Sequence, residues 1–170
     1  MIRLASFNTD SRGRLDLTGC YLTNSYDWYA VLDMARNYYF SELTHLTAWD
    51  GTPIKGMYDE RKFRHLICKH DHDKGDLNPL KDIDVRRVEC LPVLRAAVEG
   101  KLPADIYEQC SKSKVDRVEV VVGGPNVDYV VVLGCVKGAY ILRSAYPGGE
   151  QYVETLKTRG RFVGSIGPNT

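Results

Sequence analysis

The stretch Arg61-Lys62-Phe63-Arg64-His65-Leu66-Ile67-Cys68-Lys69-His70-Asp71-His72 places three of the chain's four histidines among Arg61, Lys62, Arg64 and Lys69. Imidazole titrates nearest neutrality of all side chains, and guanidinium and ammonium groups attract phosphate, so the combination suits acid–base work on a phosphodiester. A solvated basic helix end has the same composition. On a helix starting at Tyr58 or Asp59, Phe63, Leu66, Ile67 and His70 share one face, while His65 and Lys69, four apart, share its neighbour. His65 and His70 are the candidate proton-transfer groups, with Lys69 and Arg64 as candidate phosphate ligands.

A second set lies late in the chain, in Tyr140-Ile141-Leu142-Arg143-Ser144-Ala145-Tyr146-Pro147. Strand alternation puts Arg143 and Ala145 on one face and Leu142, Ser144 and Tyr146 on the other. Arg143 offers a fork of donors to a phosphate, and the hydroxyls of Ser144 and Tyr146 point to one side. Lys137, in the turn before this strand, is a further candidate phosphate ligand.

Metal chemistry competes for the first cluster, because His65, Cys68, His70, Asp71, His72 and Asp73 are all ligand types within a short span. The His-x-x-x-x-His spacing matches neither a helical i, i+4 pair nor a zinc finger, so no metal is expected. No nucleotide cofactor is expected either: Gly123-Gly124-Pro125 and Gly148-Gly149 lack the strand-to-helix setting of a phosphate loop.

These residues need elements to position them. Apolar spacing from Trp28 to Leu46, preceded by Ser25 and Asp27 as cap acceptors, predicts a long helix. Its aromatics Tyr26, Trp28, Tyr29, Tyr38, Tyr39 and Phe40 suit either a core or base stacking. Asp50-Gly51-Thr52-Pro53 reads as a turn, 59–70 as the histidine helix, 71–80 as a loop, and 82–99 as a helix broken at Pro92. Val- and Tyr-rich runs at 115–122, 129–136 and 139–145, separated by Gly-containing breaks, predict antiparallel strands. A leading strand at 103–110, a short helix at 149–157 and a last strand at 161–166 complete an α+β chain, with N-terminal helices packed on a C-terminal antiparallel meander sheet.

At 170 residues, 44% hydrophobic and 26% charged, the chain fits a single domain over 1–170. A net charge of +1 excludes a general polyanion binder, so any nucleic-acid role must rest on local charge. Cys20, Cys68, Cys90, Cys110 and Cys135 are odd in number and widely spaced, which fits reduced thiols and a cytoplasmic location. No signal peptide and no membrane span is expected.

A helix bearing a histidine pair, followed by a Val-rich antiparallel sheet ending in Arg-Ser-x-Tyr-Pro, resembles the superfamily that groups barnase, EndoU, colicin-type transfer-RNA nucleases and RelE-type toxins. More narrowly it resembles the phage-encoded members. The matching residues are Phe63 to His70 for the histidine motif, and Ser144, Tyr146 and Pro147 for the late strand. On this likeness 59–166 corresponds to a nuclease-like core and 1–58 to an N-terminal helical extension. EndoU itself has more widely spaced histidines and a lysine on an intervening strand, for which Lys137, in a turn, is a poor counterpart.

The resemblance implies a metal-independent endoribonuclease, a toxin or phage effector, that cleaves RNA by attack of the ribose 2′-hydroxyl on the adjacent phosphorus. His65 and His70 would then exchange protons, and Arg143, Ser144 and Tyr146 would hold the reacting group. RNA, including transfer RNA, is the implied substrate, and an immunity or antitoxin protein an implied partner. Two other readings are a catalytically inactive nuclease-like module that binds a host protein or nucleic acid, and an ADP-ribosyltransferase-like toxin using Arg143, Ser144 and Glu150 or Glu154.

Overall fold

The computed structural model describes residues 7–57, 59–69, 78–123 and 128–168. Helix α1, Trp28–Tyr38, starts where the Asp27 carboxylate accepts hydrogen bonds from the Tyr29 and Ala30 amides, and it runs on into a π-helical turn over Tyr39–Leu43. Asp59 caps α2, Glu60–Ile67, in the same way, accepting from the Arg61 amide at 2.8 Å. These side chains satisfy amides that have no partner inside the helix.

Helix α2 buries Phe63, Leu66 and Ile67, the face expected from their spacing, and stops at Cys68, whose backbone is extended. The expected helix over 82–99 is three pieces: α3, Pro79–Asp82; α4, Val85–Glu89; and α5, Leu91–Val98. The breaks fall at Ile83–Asp84 and at Cys90. The break expected at Pro92 falls at Cys90, so Pro92 sits in the first turn of α5, where a missing N–H has no helical partner to lose.

Among the described residues the sheet has seven strands: β1, Leu46–Thr47; β2, Pro53–Lys55; β3, Ala104–Ser111; β4, Lys114–Val122; β5, Asp128–Val136; β6, Ala139–Gly148; and β7, Arg161–Ile166. Its order is β1-β2-β6-β5-β4-β3-β7, with helix α6, Glu150–Arg159, between β6 and β7. The expected meander is β3 to β6. The sheet is nevertheless mixed, because β2 joins β6 in parallel, pairing Ile54 with Tyr140 and Lys55 with Ile141. The turn expected at Asp50–Pro53 therefore links two short strands, and both belong to the main sheet.

The protein is thus α+β, with helices on both faces of the sheet. The larger core joins α1, α2, α4 and α5 to one face through Val31, Phe63, Leu94, Val120, Val131 and Leu142, among others. On the opposite face α6 lays Val153 and Leu156 over Tyr107, Val121, Val130 and Val132, with Tyr146 at the margin. Among the described residues no helix is long and apolar enough to cross a membrane.

Candidate functional site

A β-bulge decides how the late motif is presented. Val132 pairs with Ser144 and the next residue, Leu133, pairs with Leu142, so Arg143 is an extra residue in β6. Leu142 and Ala145, three apart, both enter the larger core. The expected alternation, with Arg143 and Ala145 together, therefore breaks at the bulge. Ser144 and Tyr146 pair with Val132 and Val130, which belong to the α6 face, and Arg143 turns to that face as well. Bulges re-aim side chains in this manner.

The direction of Arg143 follows from its contact with Gly134. A Cβ built on Gly134 would stand 2.4 Å from Arg143 Nε and 3.1 Å from its Cζ, so the side chain lies flat across β5. Gly134 pairs with Arg117 of β4. Because Val118 and Val120 enter the larger core, Arg117 and Glu119 project from the α6 face beside Arg143. Arg117 and Arg143 are exposed, whereas Glu119 is only 3% exposed and its carboxylate accepts a hydrogen bond from Gln109 Nε2 at 3.0 Å. Burial raises the Glu119 pKa against the opposing pull of Gln109 and Arg117.

Helices α2 and α4 both pack against β6. Lys62 of α2 has its pKa lowered, first by burial and then by the positive charge of Arg143, which brings the two cations into one electrostatic neighbourhood. His65 is half-buried, lies three residues beyond Lys62 and shares its side of the helix. On α4 the Arg87 guanidinium stands 5.5 Å from the Tyr146 ring centroid, a cation–π contact. Arg87 keeps Nε 4.0 Å from Asp84, and burial lowers its pKa.

The remaining expected ligands divide. Arg64 Nε donates to Glu60 Oε1 at 3.3 Å, and the same carboxylate holds Arg36, so Arg64 is engaged in an ion-pair network along α1 and α2. Lys69 is exposed just past the end of α2, where its amide bonds to the Asp82 carbonyl. Lys137 sits in the β5–β6 turn beside the Val136–Ala139 pair. At about 3.3 Å per residue this leaves roughly 13 Å of strand between that turn and Arg143, so Lys137 is not part of the same cluster. His70, with Asp71, His72 and Asp73, lies outside the described residues.

Cys68 is fully buried, and burial pushes its thiol up to about 11, which makes it a poor thiolate ligand or nucleophile. Among the described residues no group of three His, Cys, Asp or Glu side chains is arranged to hold a metal ion. Of the early aromatics, Tyr38 and Tyr39 are core, while Trp28, Tyr29 and Phe40 reach the surface.

Lys62, Arg87, Arg117, Glu119 and Gly134 had no place in the sequence-based candidate set. Gly134 carried a usable signal, since a glycine inside a Val-rich strand marks a close approach of another group. Arg117 and Glu119 alternate with Val118 and Val120, which puts both on one face. Nothing local in the sequence pairs that face with Arg143.

No family model matches the chain, and no curated protein or solved structure matches it.

Proposed function

We propose that the protein is a metal-independent endoribonuclease of the cytoplasm, a toxin or phage effector, cleaving RNA by 2′-hydroxyl attack on the adjacent phosphodiester. The observation that carries this reading is the bulge at Arg143. It turns Arg143, Ser144 and Tyr146 to the α6 face of β6, while the histidine helix packs on the opposite face, with Lys62 close enough for the charge of Arg143 to lower its pKa. Clustered cations that repel one another are stabilised when a phosphate sits among them, and they stabilise the added negative charge of a phosphorane-like transition state.

In the reaction the O2′–P bond forms and the P–O5′ bond breaks. The 2′-hydroxyl proton passes to one histidine and a proton from the other reaches the departing 5′-oxygen, leaving a cyclic phosphate and a free 5′-hydroxyl. His65 and His70 take these two parts. Arg143, Lys62 and Lys69 supply positive charge, and the Ser144 and Tyr146 hydroxyls orient the phosphate or the nucleotide. The resemblance to the barnase, EndoU, colicin and RelE group supports the reading, and the odd number and wide spacing of the five cysteines agree with a reducing compartment. An immunity protein would cover the cationic face with an acidic surface.

The test is incubation of purified protein with total RNA and with transfer RNA in the presence of chelator, followed by end analysis of the fragments. Discrete products with cyclic-phosphate ends are expected. RNA left intact at high protein concentration would overturn the proposal.

A further inference from the structure

We propose that Arg117, Arg143 and Gly134 form a two-arginine seat for a phosphodiester of single-stranded RNA on the α6 face of the sheet, in which Gly134 is a positioning residue acting through Arg143. The inference deepens the ribonuclease reading and rests on it for the identity of the strand. Gly134 is not a conformational necessity: it lies within a regular strand and is absent from the glycines of positive φ. A glycine inside a strand weakens it relative to alanine, so its presence calls for a local reason. The reason visible here is space, because the Arg143 side chain occupies the volume a Cβ would take, with Nη2 3.2 Å from that point.

The consequence is a particular pairing of charges. Gly134 and Arg117 are register partners on adjacent strands, about 4.8 Å apart. By crossing Gly134, Arg143 carries its guanidinium from β6 toward Arg117 on β4. Glu119 shares the face two residues further along, but its carboxylate is turned to Gln109, which donates to it at 3.0 Å. Arg117 forms no ion pair among the described residues, whereas Arg14, Arg36, Arg64, Arg95 and Arg161 all do. Two exposed guanidinium forks, on β4 and β6 with Gly134 of β5 between them, match the fork-to-oxygen geometry of a phosphate diester. A strand bound there and at Lys62 would cross the sheet from the edge of β6 toward β4.

The experiment uses the full chain and a fluorescent single-stranded DNA oligonucleotide, which lacks the 2′-hydroxyl and so reports binding without cleavage. Affinity is measured by anisotropy over a range of salt for the wild type, Arg143→Ala, Arg117→Ala, Gly134→Ala, the Gly134→Ala/Arg143→Ala double variant, and Lys101→Ala as a charge control. Lys101 precedes β3 at the end of the sheet away from Arg117, and it is paired with Glu99. The Cβ at position 134 meets only the far end of a flexible side chain, so Gly134→Ala is expected to fold, which thermal unfolding checks directly.

Arg117→Ala and Gly134→Ala should each weaken binding about tenfold and lower the slope of log affinity against log salt by about 0.7, the value for one lost phosphate contact on a single strand. The double variant should bind like Arg143→Ala alone, because the glycine acts only through that arginine. Wild-type affinity in Gly134→Ala, a fully additive double variant, or a wild type that does not bind the oligonucleotide would overturn the seat. Binding that follows the expected pattern while RNA stays uncleaved would leave the seat standing and remove the ribonuclease reading.

Discussion

The Arg87 guanidinium of α4 faces the ring of Tyr146 on β6, and one of its nitrogens, Nη1, is buried without a hydrogen-bond partner among the described residues. Arg87 is also paired with the nearly buried Asp84 at 4.0 Å, and removing one member of such a pair leaves the other charge uncompensated. Arg87→Met should therefore lower the urea midpoint, at a cost on the order of 3 kcal/mol. RNA cleavage should fall in the same variant, because Tyr146 loses the group that fixes its ring. A cleavage rate equal to wild type would separate Arg87 from the site.

His65 carries the most direct catalytic prediction. His65→Asn keeps hydrogen bonding and size but cannot exchange a proton near neutrality. Cleavage should fall about 10²- to 10⁴-fold with the oligonucleotide affinity little changed. Comparable loss of both would make His65 a binding residue instead.

The cysteines differ sharply in their surroundings. Cys20 and Cys68 are buried and Cys110 is exposed, while burial pushes Cys90, like Cys68, up to about 11. At pH 8 a thiol of that pKa is thiolate in only about one molecule in 10³. Cys110 should consume the first equivalent of a thiol reagent in native protein, and Cys20, Cys68 and Cys90 should react only after urea is added. Cleavage should survive modification of Cys110. Rapid native labelling of Cys68, read by peptide mapping, would contradict its burial.

Glu119 predicts a pH dependence of stability. Its folded pKa lies above the unfolded one, so the native state holds its proton more tightly. Stability from this group is full below the unfolded value of about 4.3 and declines as pH rises through the folded value. Glu119→Gln keeps an acceptor for Gln109 without the charge. Its advantage over wild type in urea unfolding should be absent near pH 4 and should grow toward pH 7, and a constant difference across that range would contradict the assignment.

Much of the fold was legible because the relevant signals are local. Asp27 and Asp59 cap their helices where short polar residues precede apolar periodicity, and the Val-rich runs separated by glycines are the strands of the meander. The two short strands β1 and β2 carry too few residues for alternation to register, and their place in the sheet depends on β6, far along the chain. The site was legible only in part for the same reason. Types and spacing nominated His65, Arg143, Ser144 and Tyr146 as candidates. The bulge that puts the last three on one face depends on pairing between strands, as does the meeting of Arg143 with Gly134 and Arg117, which no window along the sequence contains.

The parallel pair of β2 with β6 has a consequence for the order in which the molecule is made. Ile54 must wait for Tyr140, so the edge of β6 beside the histidine helix closes only after most of the chain has left the ribosome. Contacts so distant in sequence form late, because the entropy of closing the intervening loop has to be overcome first. A chain that pairs in this way completes that edge of β6, and with it the surroundings of Arg143, only once synthesis is nearly finished.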